Sequence, residues 1–285
     1  MDSERERSAA DEAYLRSVGA RWGWIRGVRP MALAALLARL LPPADRRRVL
    51  RTRDGLELLV DPLARLGSIL LAEGEFEPDN VALICAEVGL GQVALDLGAN
   101  EGFFSAVLGR IVGPNGKVIA VEPQARLRPI IEANLALNGV DSHLVLSRAV
   151  GREDGEIGEM SLYPAIDSGA SGLVRKLRFF RATQAVDFIS PERILELAQV
   201  DRFDFVKLDV EGFETRVVEV LLPLIRDGRV GKLYIDYHAP VLAAQGIDPA
   251  PTHAALCDAG LVPAREPERL AGYVLYRLPD ARMRS

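Results

Sequence analysis

One stretch, Gln92 to Glu122, limits what this chain can become more than any other: QVALDLGANEGFFSAVLGRIVGPNGKVIAVE. Val93 to Leu97 is short, apolar and rich in strand formers, as suits a central parallel strand buried on both faces. It stops at Gly98, and Gly102 closes the turn G-A-N-E-G. Missing side chains at these two glycines allow unusual backbone angles and the close approach of a ligand. Phe103, Phe104, Val107, Leu108 and Ile111 then recur at helical spacing, and a second apolar run ends in Glu122. Strand, turn, helix and strand in that order predict an α/β fold with a nucleotide-type site at the first turn.

The turn also selects among nucleotide ligands. A dinucleotide fingerprint, G-x-G-x-x-G, has a middle glycine that admits a pyrophosphate. Here Asn100 stands in that place, so a nucleoside ligand without a pyrophosphate is expected. Asp96 and Asn100 offer hydrogen-bonding groups for an amino-acid ammonium or carboxylate, and Glu122, at the end of the second strand, could accept both ribose hydroxyls. S-adenosylmethionine carries all three features.

The wording DLGANEGFFS followed by GKVIAVEP resembles motifs I and II of class I S-adenosylmethionine-dependent methyltransferases, and the FkbM family in particular. GEFEPD at Gly74 to Asp79 and DFVKLDVEGFE at Asp204 to Glu214 match that family in the same order, so the resemblance runs from about Gly74 to His238. It implies a Rossmann-like class I methyltransferase fold, mostly parallel, with a C-terminal antiparallel hairpin and, in this chain, an N-terminal helical appendage. It implies a cofactor site of Glu77, Asp96, Gly98, Asn100, Gly102, Phe103, Phe104, Glu122 and Pro123. Phe76 and Glu77 would lie over the cleft, and Ser147 to Ala149 beside the adenine. The implied acceptor is a hydroxyl of a sugar, glycoconjugate or polyketide-like metabolite.

At 285 residues the chain can bury a large core and fits one elaborated domain, 54–285, with its core at 90–280 and an appendage at 1–53. A net charge of −5 gives no support to nucleic acid as the main partner. Two distant cysteines, Cys85 and Cys257, indicate neither a disulfide framework nor a zinc cluster, so a reducing cytoplasm is the default. The apolar run Met31 to Leu41, broken by Arg39, is too short to span a bilayer. It predicts one short helix before Pro42, and with Trp22 and Trp24 a cap on the core or a contact between copies of the chain. Asp2 to Arg7 reads as a frayed tip, and the basic run Arg46 to Arg53 as a solvated helix end.

Further along, Gly55 to Val60 alternates as a strand, Leu63 to Glu73 reads as a turn or short helix, and Asn80 to Glu87 as a helix capped at Asp79 or Asn80. Gln124 to Leu137 is a helix closed by Asn138-Gly139, and His143 to Val150 a third core strand with His143 at the core edge. Gly151 to Gly172, with a short strand at Glu159 to Tyr163, joins Leu173 to Arg181 as a candidate substrate loop. Pro191 to Ala198 (helix), Phe203 to Leu208 (strand), Thr215 to Ile225 (helix) and Val230 to Tyr237 (strand) follow. A helix near Pro251 to Ala259 precedes strands at Leu261 to Arg265 and Gly272 to Leu278.

The fourth core strand delivers KLDVEG, with Lys207, Asp209 and Glu211 on one side. Carboxylates there lie where open α/β sheets bind ligands. Asp209 could orient an acceptor hydroxyl, act as a base, or hold a divalent cation such as magnesium with Glu211 or Asp236. Glu211 and Glu214 could equally complement the amino end of the next helix. His238, at the end of the fifth strand, is the other candidate base. His253 and Cys257 supply two ligands, which do not make a metal site. An NAD-dependent oxidoreductase would share Glu122 but lacks the third glycine, and a cofactor-binding scaffold without chemistry would share the fold.

Overall fold

The computed structural model describes residues 2–29, 31–162 and 182–279. Its centre is a seven-stranded sheet: β3 (Val93–Leu97), β4 (Lys117–Val121), β5 (His143–Leu146), β9 (Phe203–Leu208), β10 (Val230–Tyr237), β11 (Val262–Pro263) and β12 (Gly272–Arg277). Their spatial order is β11-β12-β10-β9-β3-β4-β5. The five from β10 to β5 run parallel, whereas β12 is antiparallel to both of its neighbours, forming the expected edge hairpin. Helices α5 (Phe103–Val112), α6 (Arg128–Leu137), α7 (Pro191–Ala198), α8 (Glu214–Arg226) and α10 (Ala250–Asp258) flank the sheet. Two apolar clusters result, one around Val206, Leu233 and Ile235, the other around Ala94, Val107 and Ile131.

The strand order reverses direction between β3 and β9. An open sheet has its crevice at such a switch point, beyond the strand carboxyl ends. Gly98 and Gly102 are the hinge of that crevice, at φ 83° and 81°. A Cβ on Gly98 would stand 1.8 Å from the Asp209 carbonyl oxygen, and one on Gly102 would stand 3.0 Å from Ile131 Cα. The two glycines therefore make room for neighbouring backbone of the protein itself, and Gly98 also lines the crevice.

Other differences have local causes. The third strand stops at Leu146, opposite Val121, the last residue of β4. With no partner to extend against, the chain turns, and Ala149–Val150 (β6) pairs instead with β8 (Ala182–Ile189), which also pairs with β7 (Ile157–Leu162). The basic run is not a helix end. Arg48–Arg51 forms β1, a hairpin partner of β2 (Glu57–Val60). Leu50 turns inward to the core, while Arg46 bonds Asp61 at 2.8 Å and Arg47 bonds Glu101 at 2.9 Å.

The tip expected to fray is the start of α1 (Asp2–Trp22), a helix whose few apolar side chains, Leu15 and Val18, are buried. Arg65–Glu73 is α3, and Pro78–Glu87 is α4, preceded by Glu77 in a left-handed conformation without a side-chain cap. α2 spans Met31–Leu40, and Trp22 and Leu37 pack on Ile25, Ala34, Ala38 and Leu63 as a cap. Among the described residues, no helix is long and apolar enough to cross a membrane. Arg175, Lys176, Arg178 and Arg181, the basic part of the candidate substrate loop, lie outside the described residues.

Gly98→Ala is expected to destabilise the fold by upwards of roughly 3 kcal/mol, combining backbone strain with the collision at Asp209. Gly91, at φ 78° with open space around it, is the control, and Gly91→Ala should cost only about 1 to 2 kcal/mol. Urea denaturation midpoints check both. Equal losses at the two positions would remove the collision from the account.

Candidate functional site

A pocket opens at the switch point, with about 1140 Å³ of empty space including the solvent at its mouth. One end is built by the carboxyl ends of β3 and β4. Asn100 sits in the left-handed region at φ 49°, a conformation that asparagine tolerates better than most residues. Its N–H donates to Glu122 Oε2 at 2.9 Å, and the Gln124 N–H donates to Glu122 Oε1 at 2.9 Å. Glu122 is thus fixed by two backbone amides, with lone pairs left for a ligand. Burial lifts its carboxyl above the usual range, against the pull of those amides. Leu97, Val121, Ala149, Val150, Met160 and Phe213 give the same end apolar walls.

The other end is charged. Lys207, 1% exposed, reaches Asp209 Oδ2 at 3.1 Å and Asp96 Oδ1 at 3.7 Å, and its ammonium lies 4.7 Å from the Phe104 ring centre. Burial alone would favour neutral lysine, but Asp209 and Asp96 outweigh it and hold the amine charged. Burial would likewise raise Asp209, but Lys207 and then His238 bring it below the usual carboxylate range. Tyr273 donates to Asp209 Oδ2 at 3.2 Å and to Glu77 Oε2 at 3.3 Å. Asn80 adds a donor to Glu77 at 2.9 Å and itself accepts from the Tyr234 hydroxyl at 2.6 Å.

His238 stands beside this group. Glu214, wholly buried at the start of α8, accepts from the Gly212 N–H at 2.7 Å and holds His238 Nδ1 at 2.8 Å. The other ring nitrogen faces Glu211 at 3.6 Å and both Asp209 and Asp236 at 3.7 Å. Burial opposes a charged ring, yet the bond to Glu214 and the surrounding carboxylates raise its pKa to about 9. Both ring nitrogens are thus engaged by carboxylates, an arrangement that suits a charged group better than a general base. Asp236 is lifted to about 6 by burial and by Asp209.

Ligand atoms of Asp209, Glu211 and His238 lie within 4.8 Å of one another, a spacing that a divalent ion could bridge. The protein already supplies this cluster with positive charge from Lys207 and the imidazolium, and an ion would have to displace the ring proton.

Of the residues expected at the cofactor, Glu77, Gly98, Asn100, Phe103, Phe104, Glu122, Pro123 and Ala149 line the pocket, and Asp209 and Glu211 join them. Asp96 does not face it. Fully buried, it accepts from the Ser105 hydroxyl at 2.6 Å and faces Lys207. Gly102 supports the turn from behind against Ile131. Ser147 lies just off the wall, where Arg148 and Ala149 contribute instead. Tyr273 escaped sequence reasoning, and Glu214 and Asn80 entered it only as helix-end residues, because their bonds to His238 and Tyr234 reach far along the chain. Three of the four described non-glycine residues at positive φ, Glu77, Asn100 and Glu211, line this one pocket, and such strain concentrates at functional sites.

The structure is similar to that of a putative rRNA-methylase from Clostridium thermocellum, at 10% identity and a TM-score of 0.42, over 71% of this chain and 95% of that one. It is also similar to Aeropyrum pernix fibrillarin in complex with natively bound S-adenosyl-L-methionine, at 15% identity and a TM-score of 0.42, over 84% and 85%. Cofactor-bound Rv0187 from MTB is similar at 17% identity and a TM-score of 0.42, over 88% and 98%. No curated protein matches the chain. The profile of the methyltransferase FkbM domain matches residues 96–241, from the buried acid of β3 to the helix that follows His238. Since that is more than half of the chain, the protein belongs to the FkbM methyltransferase family.

Proposed function

We propose that the protein transfers a methyl group from S-adenosylmethionine to a hydroxyl of a sugar, glycoconjugate or polyketide-like metabolite. The observation that carries this reading is the division of the pocket into a nucleoside end at Glu122 and an acidic end at Asp209. The residues present fit that cofactor. Glu122, held by two amides, keeps lone pairs for ribose hydroxyls, and the wall of Val121, Ala149, Val150 and Met160 suits an adenine face. When bound, the sulfonium supplies an activated methyl group. The chain's task is then to hold the acceptor oxygen in line, an effect worth about 7 to 11 kcal/mol in well-oriented systems.

The acceptor's proton must also leave. Asp209, bonded to Lys207 and Tyr273, is too weak a base for that task and serves to orient the hydroxyl. We assign that proton to Asp236, which lies behind the pocket lining, 3.7 Å from the His238 ring that also faces Asp209 and Glu211. The imidazolium of His238 keeps the carboxylates in place. Support for a hydroxyl acceptor comes from this acidic rim and from the family resemblance. We place the protein in the cytoplasm, where Cys85 and Cys257, both free, stay reduced.

Calorimetric titration tests the cofactor. S-adenosylmethionine and S-adenosylhomocysteine should bind saturably and NAD should not. Glu122→Gln should weaken adenosyl binding by roughly tenfold to a hundredfold through lost charge-assisted bonds, with circular dichroism confirming the fold. A folded protein that binds neither adenosyl compound would overturn the reading.

The base assignment has its own test. The pH profile of kcat/KM should rise through about 6 as Asp236 ionises and fall through about 9 as His238 loses its proton. Asp236→Asn should remove the lower limb and slow transfer by about 10² to 10⁴. A profile with no limb near 6 would dismiss Asp236. Because the folded-state pKa of His238 lies above the ordinary imidazole value, the stability gained from its protonation is present below that value. It should be lost as pH rises through about 9.

A further inference from the structure

From Ala13 to Ala44 the chain carries five arginines, Arg16, Arg21, Arg26, Arg29 and Arg39, and no carboxylate, in a protein of net charge −5. The same segment contains α2, which is apolar on two sides. Ala34 and Ala38 face inward, packed with Ile25 and Leu63. Leu33, Leu36 and Leu40 face outward, 44%, 51% and 66% exposed. At 3.6 residues per turn these three fall within an arc of roughly 60°. Trp24 and Leu41 add apolar surface, 55% and 43% exposed, while Arg21, Arg29 and Arg39 are exposed in the same segment.

We propose that this leucine face docks the protein on the surface of an anionic membrane, a reading that does not rest on the methyl-transfer proposal. The leucines and Trp24 enter the boundary between headgroups and acyl chains, and Arg21, Arg29 and Arg39 meet headgroup phosphates, as in helices that lie in the membrane plane. Arg16 is paired with Glu12, and Arg26 bonds Ser68. Charge selects this occupant. A second copy of the chain would bring the same arginines against each other, whereas acidic lipid supplies the opposite sign. Length fixes the orientation, since ten residues of α2 rise only about 15 Å and the hydrocarbon core measures about 30 Å.

The test is co-sedimentation of the full chain with phosphatidylcholine vesicles, with and without phosphatidylglycerol, together with light scattering in solution. The protein should partition onto the phosphatidylglycerol vesicles and be released by added salt. Arg29→Gln or Arg39→Gln should each weaken partitioning about fivefold. Leu36→Ser with Leu40→Ser should weaken it by about a hundredfold. All four side chains are exposed, so the variants should keep the parent circular dichroism spectrum. Equal binding to both vesicle types would overturn the proposal. A stable dimer without vesicle binding, dissociated by the leucine substitutions, would overturn it in favour of a second copy.

Discussion

The structure depends on a lysine that is almost wholly buried. Lys207 lies in the centre of the sheet, paired in register with Asp96 on β3, and its ammonium is shared between Asp96 and Asp209. Removing one partner of a buried pair costs about 3 to 5 kcal/mol, because the remaining charge is stranded. Asp96 adds the hydroxyl of Ser105 on α5, and Asp209 adds Tyr273 on β12. A single cation thus ties together β3, β9, the helix after the first turn and the edge hairpin. The same ion sets the protonation of Asp209 and so the chemistry available at the acidic end of the pocket.

The N-terminal residues are tied to that centre by polar bonds as well as by packing. Asn134 on α6 accepts from the Leu59 N–H at 2.6 Å and donates to the Glu101 carbonyl at 2.7 Å. The Glu101 carboxylate, 2% exposed, is in turn paired with Arg47. One asparagine therefore links the β1–β2 hairpin to the turn that carries Asn100. Arg65 and Leu66, from the first turn of α3, complete the pocket lining on that side.

Much of this was legible in the sequence where the signal was local. β3, α7, β9 and β10 lie where hydrophobic runs and turn residues put them, because strands buried on both faces leave little ambiguity. The acid at the end of β4, the glycine turn at Gly98 and Gly102 and the edge hairpin were equally readable. What was not readable is long-range. β1 was hidden by its arginines, whose partners Asp61 and Glu101 come from elsewhere in the chain. The break between β5 and β6 depends on where β4 ends. The proton on His238 depends on Glu214, Glu211, Asp209 and Asp236, which no one-residue reading of a histidine can sum. Gly98 lines the pocket as its sequence context suggests, but its closeness to the Asp209 carbonyl comes from the end of a strand far along the chain.

The bond between Tyr273 and Glu77 joins residues 196 positions apart. A growing chain therefore cannot complete this pocket until β12 has been made and has docked beside β10. Until then Glu77 and Asp209 lack the hydroxyl that both accept from, even if the parallel strands have already paired. Contacts of such sequence separation carry a high loop-closure cost and form slowly. The cell thus passes through an interval in which the fold is recognisable and the enzyme is not yet assembled, and the last strand made decides when that interval ends.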